Sequence, residues 1–190
     1  IGFFQPLIAK GRFADGTGQS VPYCLAVRDN GQVLFAFETA GCVQKSILSV
    51  PTLKGGQFYR LAVVRRGATS QNEKKGTKTI GDQTIEVVES VEVKKWQDIS
   101  LFIDGVQVPT LYDGAGGPVT SVKFEDAPPL GHDGTLQVGR YQSGTATWLM
   151  QGELAEVRLW NRARDASQLG KGVTSRDNGL VARWRFPENK

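Results

Sequence analysis

The chain has 190 residues, with 23 Lys or Arg against 19 Asp or Glu, a formal charge of +4, 23 glycines and 8 prolines. That length suits one domain able to bury a core without staples, and no apolar window is long enough for a membrane-spanning helix. The cations are scattered rather than clustered among exposed aromatics, so no nucleic-acid partner is expected.

Glycine and proline fall as punctuation between short apolar runs, which favours many strands over long helices. Ile1–Ala9 reads as a strand interrupted at Pro6 or lying at an edge, and Gly11–Gln19 as a surface loop. Tyr23, Leu25 and Val27 then alternate with Cys24, Ala26 and Arg28 before Asp29-Asn30-Gly31 turns the chain into Val33, Phe35 and Phe37, a strong hairpin signal. With Asn30-Gly31 as a two-residue turn, Cys24 stands near Phe37 and Cys42 falls beyond the register, so free thiols are expected.

Phe58–Arg66 alternates again, and Ser100–Gly105 ends another strand at Asp104-Gly105. Between them Gly67–Asp98 is polar and lysine-rich as far as Lys78, which reads as a loop. In Thr84–Lys94, Ile85, Val87, Val91 and Val93 share a parity, which predicts an added strand or half of a long hairpin. Val106–Tyr112, Ser121–Phe124 and Thr135–Arg140 read as further strands.

Near the carboxyl end Ala155, Val157 and Leu159 alternate with Glu156 and Arg158, which predicts a strand with one buried face. Asn161–Leu169 follows as a turn and one helical turn, with Asp165 or Ser167 placed to cap it. Gly179–Phe186 is a second strand, with Leu180, Ala182, Trp184 and Phe186 on one side and Arg183 and Arg185 on the other.

Gly152, Glu156, Val157, Arg158, Leu159, Asn161 and Arg162, followed by Gly179, Leu180, Val181, Trp184 and Phe186, resemble the C-terminal signature of laminin-G-like domains of the concanavalin A-like superfamily. Tyr23–Phe37, Phe58–Arg66, Ser100–Gly105 and Thr135–Arg140 resemble the strands that precede it. The resemblance implies an all-β fold, a two-sheet antiparallel jelly-roll sandwich of roughly a dozen strands, formed by one domain over 1–190 with an inserted hairpin or loop at 67–98. It also implies that the family's first strands are absent before Phe3–Lys10, leaving an edge for a missing segment or another chain. The chain opens at Ile1 without a signal-like segment, so a processed chain or an excerpt of a larger exported protein, secreted or on the cell surface, is expected.

The sequence offers little for catalysis. His132, the only histidine, sits in a Gly-His-Asp-Gly turn, and two cysteines cannot build a typical zinc site. The alternating carboxylates that glycosidases of this fold carry on one strand are missing, so no enzyme is expected, and a glycosidase or lyase is the least favoured reading. No cofactor is expected either. The resemblance leaves calcium open, with Asp104, Asp113, Asp126 and Asp133 as loop carboxylates, but no ligand spacing supports it and turn-stabilising aspartates are favoured.

What such a scaffold can do is recognise. Sugar-binding surfaces stack aromatic faces on C–H surfaces and frame them with amides and charges. Trp148 with Tyr141, Arg140 and Gln142 is the candidate rim cluster, and Trp96 at the return of the insertion is the other candidate. The favoured function is therefore a non-catalytic module binding a glycan or protein partner. The alternative is a structural module docking another chain through 67–98 or an open sheet edge, which calls for an uncovered apolar face on Ile85–Val93.

Overall fold

A computed structural model describes residues 4–12, 20–39, 43–80, 83–112, 116–125, 135–143, 146–172 and 177–186, with backbone alone described over most of 68–96. Its described elements are 14 strands and one four-residue helix, and every strand pairing is antiparallel. The fold is all-β.

The first sheet is built on β1 (Phe4–Arg12), β2 (Ser20–Arg28), β3 (Gln32–Glu38) and β4 (Gln44–Thr52), with β8 (Thr110–Tyr112) beside β4 and β10 (Leu136–Val138) beside β1. The second joins β5 (Leu61–Ile80), β6 (Gln83–Ile103) and β7 (Val106–Val108), and β9 (Val122–Glu125) also pairs with β6. Pro6 lies in β1 ahead of the Ile8–Lys10 stretch that pairs with β10, where a missing amide proton costs no ladder bond on that side. Val106–Tyr112, expected as one strand, is two: Pro109 breaks it, so that β7 stays on the second sheet while β8 crosses to the first.

The main core lies between these sheets. Val33, Phe35, Phe37 and Ile47 from the first meet Ile99, Leu101, Val108, Val122 and Phe124 from the second. The Phe37 and Phe124 rings meet edge-on at 4.9 Å, and Tyr112 meets Phe124 the same way at 5.0 Å. Edge-to-face contacts of this kind add about 0.5–1.5 kcal/mol each beyond the area they bury.

The parity of β2 serves two cores. Tyr23 and Leu25 pack on the main core, whereas Cys24 and Ala26 turn to a second cluster with Phe4, Ala9 and Tyr141. That second cluster is closed by a hairpin of β11 (Arg140–Ser143) and β12 (Ala146–Leu149). Small side chains at Ala9, Cys24 and Ala26 let the aromatic rings approach the sheet closely.

The β2–β3 connection differs from the two-residue turn expected. Cys24 pairs with Ala36, one residue short of Phe37. The Gly31 amide donates to the Arg28 carbonyl at 2.9 Å, and Gly31 holds φ of +82°. Among the described residues Asp104 alone has a positive φ without being glycine, so Asn30 is not in the left-handed region that a two-residue Asn-Gly turn requires. The loop is three residues, Asp29 to Gly31, ending in a glycine bulge. A Cβ on Gly31 would sit 2.5 Å from the Leu53 carbonyl oxygen, so this position excludes side chains twice over.

The carboxyl-terminal unit forms the two paired strands expected, but without the buried face: every residue of Glu156–Trp160 is half-buried, and Ala155 and Phe186 are exposed. Strand β13 (Glu156–Trp160) pairs with β14 (Leu180–Arg185), Val157 facing Trp184 and Leu159 facing Ala182. Between them α1 (Ala166–Leu169) starts at Asp165, whose amide donates to the Gln168 side-chain oxygen at 3.1 Å. Arg66 of β5 donates to the Arg164 carbonyl and to the Asp165 carboxylate, both at 3.1 Å, and Arg164 lies 4.0 Å over the Trp160 ring. The two contacts from Arg66 fasten the unit to the second sheet.

The largest departure from expectation is at 68–78. Read as a loop for its polarity, it is strand throughout, continuous with β5. β5 and β6 stay paired from Leu61 and Ile103 out to Ile80 and Gln83. Propensity loses here to pairing, because the valine-rich return strand supplies a partner along the whole length.

Candidate functional site

Three parts of the molecule bear on recognition: the β10–β12 region that holds the candidate rim residues, the charged face of the carboxyl-terminal hairpin, and the long β5–β6 arm.

Gly139, at φ of +65°, turns the chain from β10 into β11; its amide donates to the Leu7 carbonyl and its own carbonyl accepts from the Met150 amide, each at 2.9 Å. Across the hairpin Tyr141 faces Trp148, while Arg140 faces Leu149 and Gln142 faces Thr147. Strand alternation then divides the candidates. Tyr141 is completely buried, and Trp148 is half-buried against Phe4 at 5.6 Å and Tyr141 at 5.6 Å. These two rings belong to the core and do not form an exposed stacking rim, a correction to the expected cluster.

Arg140 and Gln142 take the other parity and are exposed, with the Arg140 guanidinium donating to the Gln142 side-chain oxygen at 2.8 Å. With Thr135, Gln137 and Val138 they line an open cleft of about 360 Å³. The cleft offers a cation, two amides and a hydroxyl, groups that hydrogen-bond hydroxyls or a carboxylate, and among the described residues no aromatic side chain lines it. Trp96 sits at the foot of the arm, its backbone opposite Ala68 and Glu125; its side chain lies outside what is described.

Asp104 is engaged in a turn. At φ of 53° it donates its amide to the Arg60 carbonyl and accepts the Arg60 amide on its carboxylate, both at 2.7 Å. Asp113, Asp126, Asp133, His132 and Cys42 lie outside the described residues. Among the described residues no three His, Cys, Asp or Glu side chains group as a metal site would require. Cys24 is a buried free thiol whose pKa desolvation pushes up to about 12, which leaves it unreactive as a nucleophile.

On one face of the β13–β14 hairpin a single carboxylate holds two arginines. Glu156 accepts from Arg158 Nε at 2.6 Å and from Arg183 Nε at 2.5 Å, and Arg158 also donates to the Lys171 carbonyl at 3.0 Å. The hydrogen bonds from Arg158 and then Arg183 hold the Glu156 carboxyl down at about 2, against the opposing effect of burial. A general acid needs the reverse shift, so this glutamate is a fixed anion bracing the hairpin. No sequence motif announced it; the signal was that Glu156 and Arg158 share a strand face that Arg183 joins once the strands pair.

The arm is the most conspicuous feature. At its foot β6 pairs on its other side with β7 through Leu101–Ile103 and with β9 through Trp96–Ile99. Beyond Lys95 its partner is β5 alone, and β5 has no second partner among the described strands. From Gly67 to Ile80 this two-stranded ribbon extends about 43 Å at the usual rise per residue. A register shift between Lys74 and Lys75 opposes Val88 to Lys75 and Ser90 to Lys74, leaving Glu89 without an opposite number. Ile85 and Val87 therefore stand opposite Lys78 and Gly76, and Val91 and Val93 opposite Glu73 and Gln71, so the single register expected over Ile85–Val93 does not continue through the bulge.

The outgoing strand carries Glu73 with Lys74, Lys75 and Lys78, and the return strand Glu86, Glu89 and Glu92 with Lys94 and Lys95. Comparison with family models, curated proteins and solved structures returns no match to this chain.

Proposed function

We propose that this chain is a non-catalytic assembly module that docks a protein partner by strand addition along the β5–β6 arm. The observation that carries the reading is that the ribbon leaves the body with no described strand on either long edge, so two rows of backbone donors and acceptors are presented to a partner. A two-stranded hairpin of that length has little independent stability in water, and a third strand supplies what it lacks. The body behind it is read as a laminin-G-like jelly roll of the concanavalin A-like kind and as part of an exported protein; the strand, short turn and strand of Glu156–Arg185 support the family reading. Replacing 68–95 by an Asn-Gly turn is expected to keep the body folded, with unchanged near-ultraviolet circular dichroism, and to abolish association with protein partners. A shortened chain that keeps every protein contact of the full one would overturn the reading.

A second reading, glycan binding, is favoured by the cleft of Thr135, Gln137, Arg140 and Gln142. The expected outcome for the Arg140→Ala, Gln142→Ala double variant is loss of retention on a glycan array at an unchanged melting temperature; unchanged retention removes the site.

A further inference from the structure

The two edges of the arm are open over different lengths. On β6 the outer edge is taken at the foot, by β7 over Leu101–Ile103 and by β9 over Trp96–Ile99, so it is free of described partners only from Lys95 toward the tip. On β5 no described strand pairs with the outer edge anywhere from Leu61 to Ile80, 20 residues that extend about 66 Å at the usual rise. A strand added to β5 can therefore run from the body to the tip, whereas one added to β6 must stop short of the body.

The two strands also differ in charge with every residue counted. β5 carries Arg65, Arg66, Lys74, Lys75 and Lys78 against Glu73 alone, a net of +4, and β6 carries Lys94 and Lys95 against Glu86, Glu89, Glu92 and Asp98, a net of −2.

Within the ribbon the basic charge of β5 is not met face to face. Lys74, Lys75 and Lys78 stand opposite Ser90, Val88 and Ile85, and Arg65 stands opposite Ile99; of the five cations only Arg66 has an acidic residue, Asp98, directly opposite. Directly opposite positions on one face are the closest cross-strand neighbours, where unlike charges stabilise and like charges destabilise. A third strand beside β5 provides a second set of opposite positions, and acidic residues suit them. Edge lysines discourage pairing with a neutral or basic strand, so the same residues that attract also select.

The body end of the edge favours a different residue type. Leu61 and Val63 lie half-buried at the margin of the main core, with Arg65 exposed on the same face. A strand lying beside them widens the second sheet by one, and apolar side chains opposite Leu61 and Val63 cover that margin.

Resting on the docking reading above, we infer that the partner of the arm is an extended acidic segment of another protein, added to the β5 edge, with alternating apolar residues beside Leu61 and Val63 and carboxylates along the rest. Main-chain hydrogen bonds supply affinity, and the carboxylates supply choice. A second copy of this chain does not offer such a segment through the arm: its β5 is basic, and its net-acidic β6 is closed at the foot by β7 and β9.

Fluorescence anisotropy of a labelled synthetic peptide with the full chain tests this. The probe is as long as β5 and alternates valine with threonine at one end and glutamate with threonine along the rest. One control has lysine for every glutamate; another keeps the glutamates but has its backbone amides N-methylated, which removes the donors that strand pairing needs. The acidic probe is expected to bind saturably and to weaken with added salt, and neither control is expected to bind. An N-methylated probe that binds as tightly as its parent would reduce the contact to charge attraction and overturn strand addition. Equal binding of the lysine peptide would overturn the charge selection.

The edge is tested separately. K74Q/K75Q/K78Q is expected to weaken the acidic probe about tenfold, whereas E86Q/E89Q/E92Q, altered on the other strand of the same ribbon, is expected to bind at least as tightly as the wild type. Equal losses in the two would overturn the assignment to β5. Residue-resolved amide exchange on the unaltered chain reads the same choice: the bound probe is expected to slow the β5 amides that point away from β6, from Leu61 outward, and slowing along the outer edge of β6 instead would overturn it.

A wild type that ignores the acidic probe, while loss of 68–95 still abolishes contact with a protein partner, sinks the acidic-segment inference and leaves strand docking standing. A wild type that ignores the probe and self-associates through the arm puts a second copy there and sinks the same inference. A chain lacking 68–95 that keeps every protein contact sinks both readings.

Discussion

Tyr141 and Trp148 face each other across the β11–β12 hairpin with ring centroids 5.6 Å apart, and both lie against Phe4 of β1. The hairpin is thus pinned to the sheet by aromatic packing, while its polar side chains face the cleft.

Trp148→Ala therefore acts on stability first. Truncating a fully buried Trp costs about 3–5 kcal/mol, and with Trp148 half-buried the expected loss is about 2–3 kcal/mol. Arg140→Ala, on the exposed parity of the same hairpin, is expected to stay within about 0.5 kcal/mol of the wild type. Urea denaturation midpoints separate the two; equal midpoints would contradict the packing described.

Glu156 gives the fold an acid limb. Its pKa falls from 4.5 to about 2 in the folded state, so the stability it contributes is fully present above pH 4.5 and is lost as pH falls toward 2. The expected contribution is about 1–3 kcal/mol, since the group is partly solvated. Glu156→Gln should lower stability at neutral pH by that amount and flatten the pH dependence between those limits. Parallel pH curves for variant and wild type would show that the two arginines do not depend on the carboxylate.

Gly179 tests the turn that joins α1 to β14. It holds φ of +87°, and a Cβ there would lie 2.7 Å from Cγ of Arg162. Gly179→Ala is expected to cost about 1–2 kcal/mol from backbone strain, with the clash in addition. Adding Arg162→Ala should recover the steric part and leave the backbone part. Full recovery in the double variant would mean that the left-handed conformation carries no cost.

Cys24 is expected to resist alkylation in the native chain. Peptide-level mass spectrometry should find it unmodified by iodoacetamide at mildly alkaline pH and modified after denaturant, because burial pushes its thiol up to about 12. Fast native labelling would show that β1 and β2 open readily above it.

Much of the fold was legible wherever one face of a strand is buried. Val33, Phe35 and Phe37 share one parity of β3 and are all buried in the main core, as the alternation implies. The same rule places Tyr141 opposite in phase to Arg140 and Gln142, so the division of the candidate rim was implicit in the pattern.

Turn length was not legible. Asn30-Gly31 fits both a two-residue and a three-residue loop, and the choice moves the partner of Cys24 by one, from Phe37 to Ala36. The arm was half legible: Thr84–Lys94 advertises a strand, whereas 68–78 carries no apolar period and becomes a strand through its partner. The bulge beside Lys74 falls at Glu89, the one charged residue in the parity of Ile85, Val87, Val91 and Val93, so the break in the alternation is where the register shifts.

Strands β5 and β6 run without interruption from the layer that holds Val64, Ile99 and Leu101 out to Ile80 and Gln83. One bulge, at Glu89 opposite Lys74 and Lys75, intervenes between anchor and tip, so the projection works as a lever with a single bend. A load applied at its far end is borne by the same ladder that closes the interior, and amide exchange at the root should report engagement some 40 Å away, by the usual rise per strand residue.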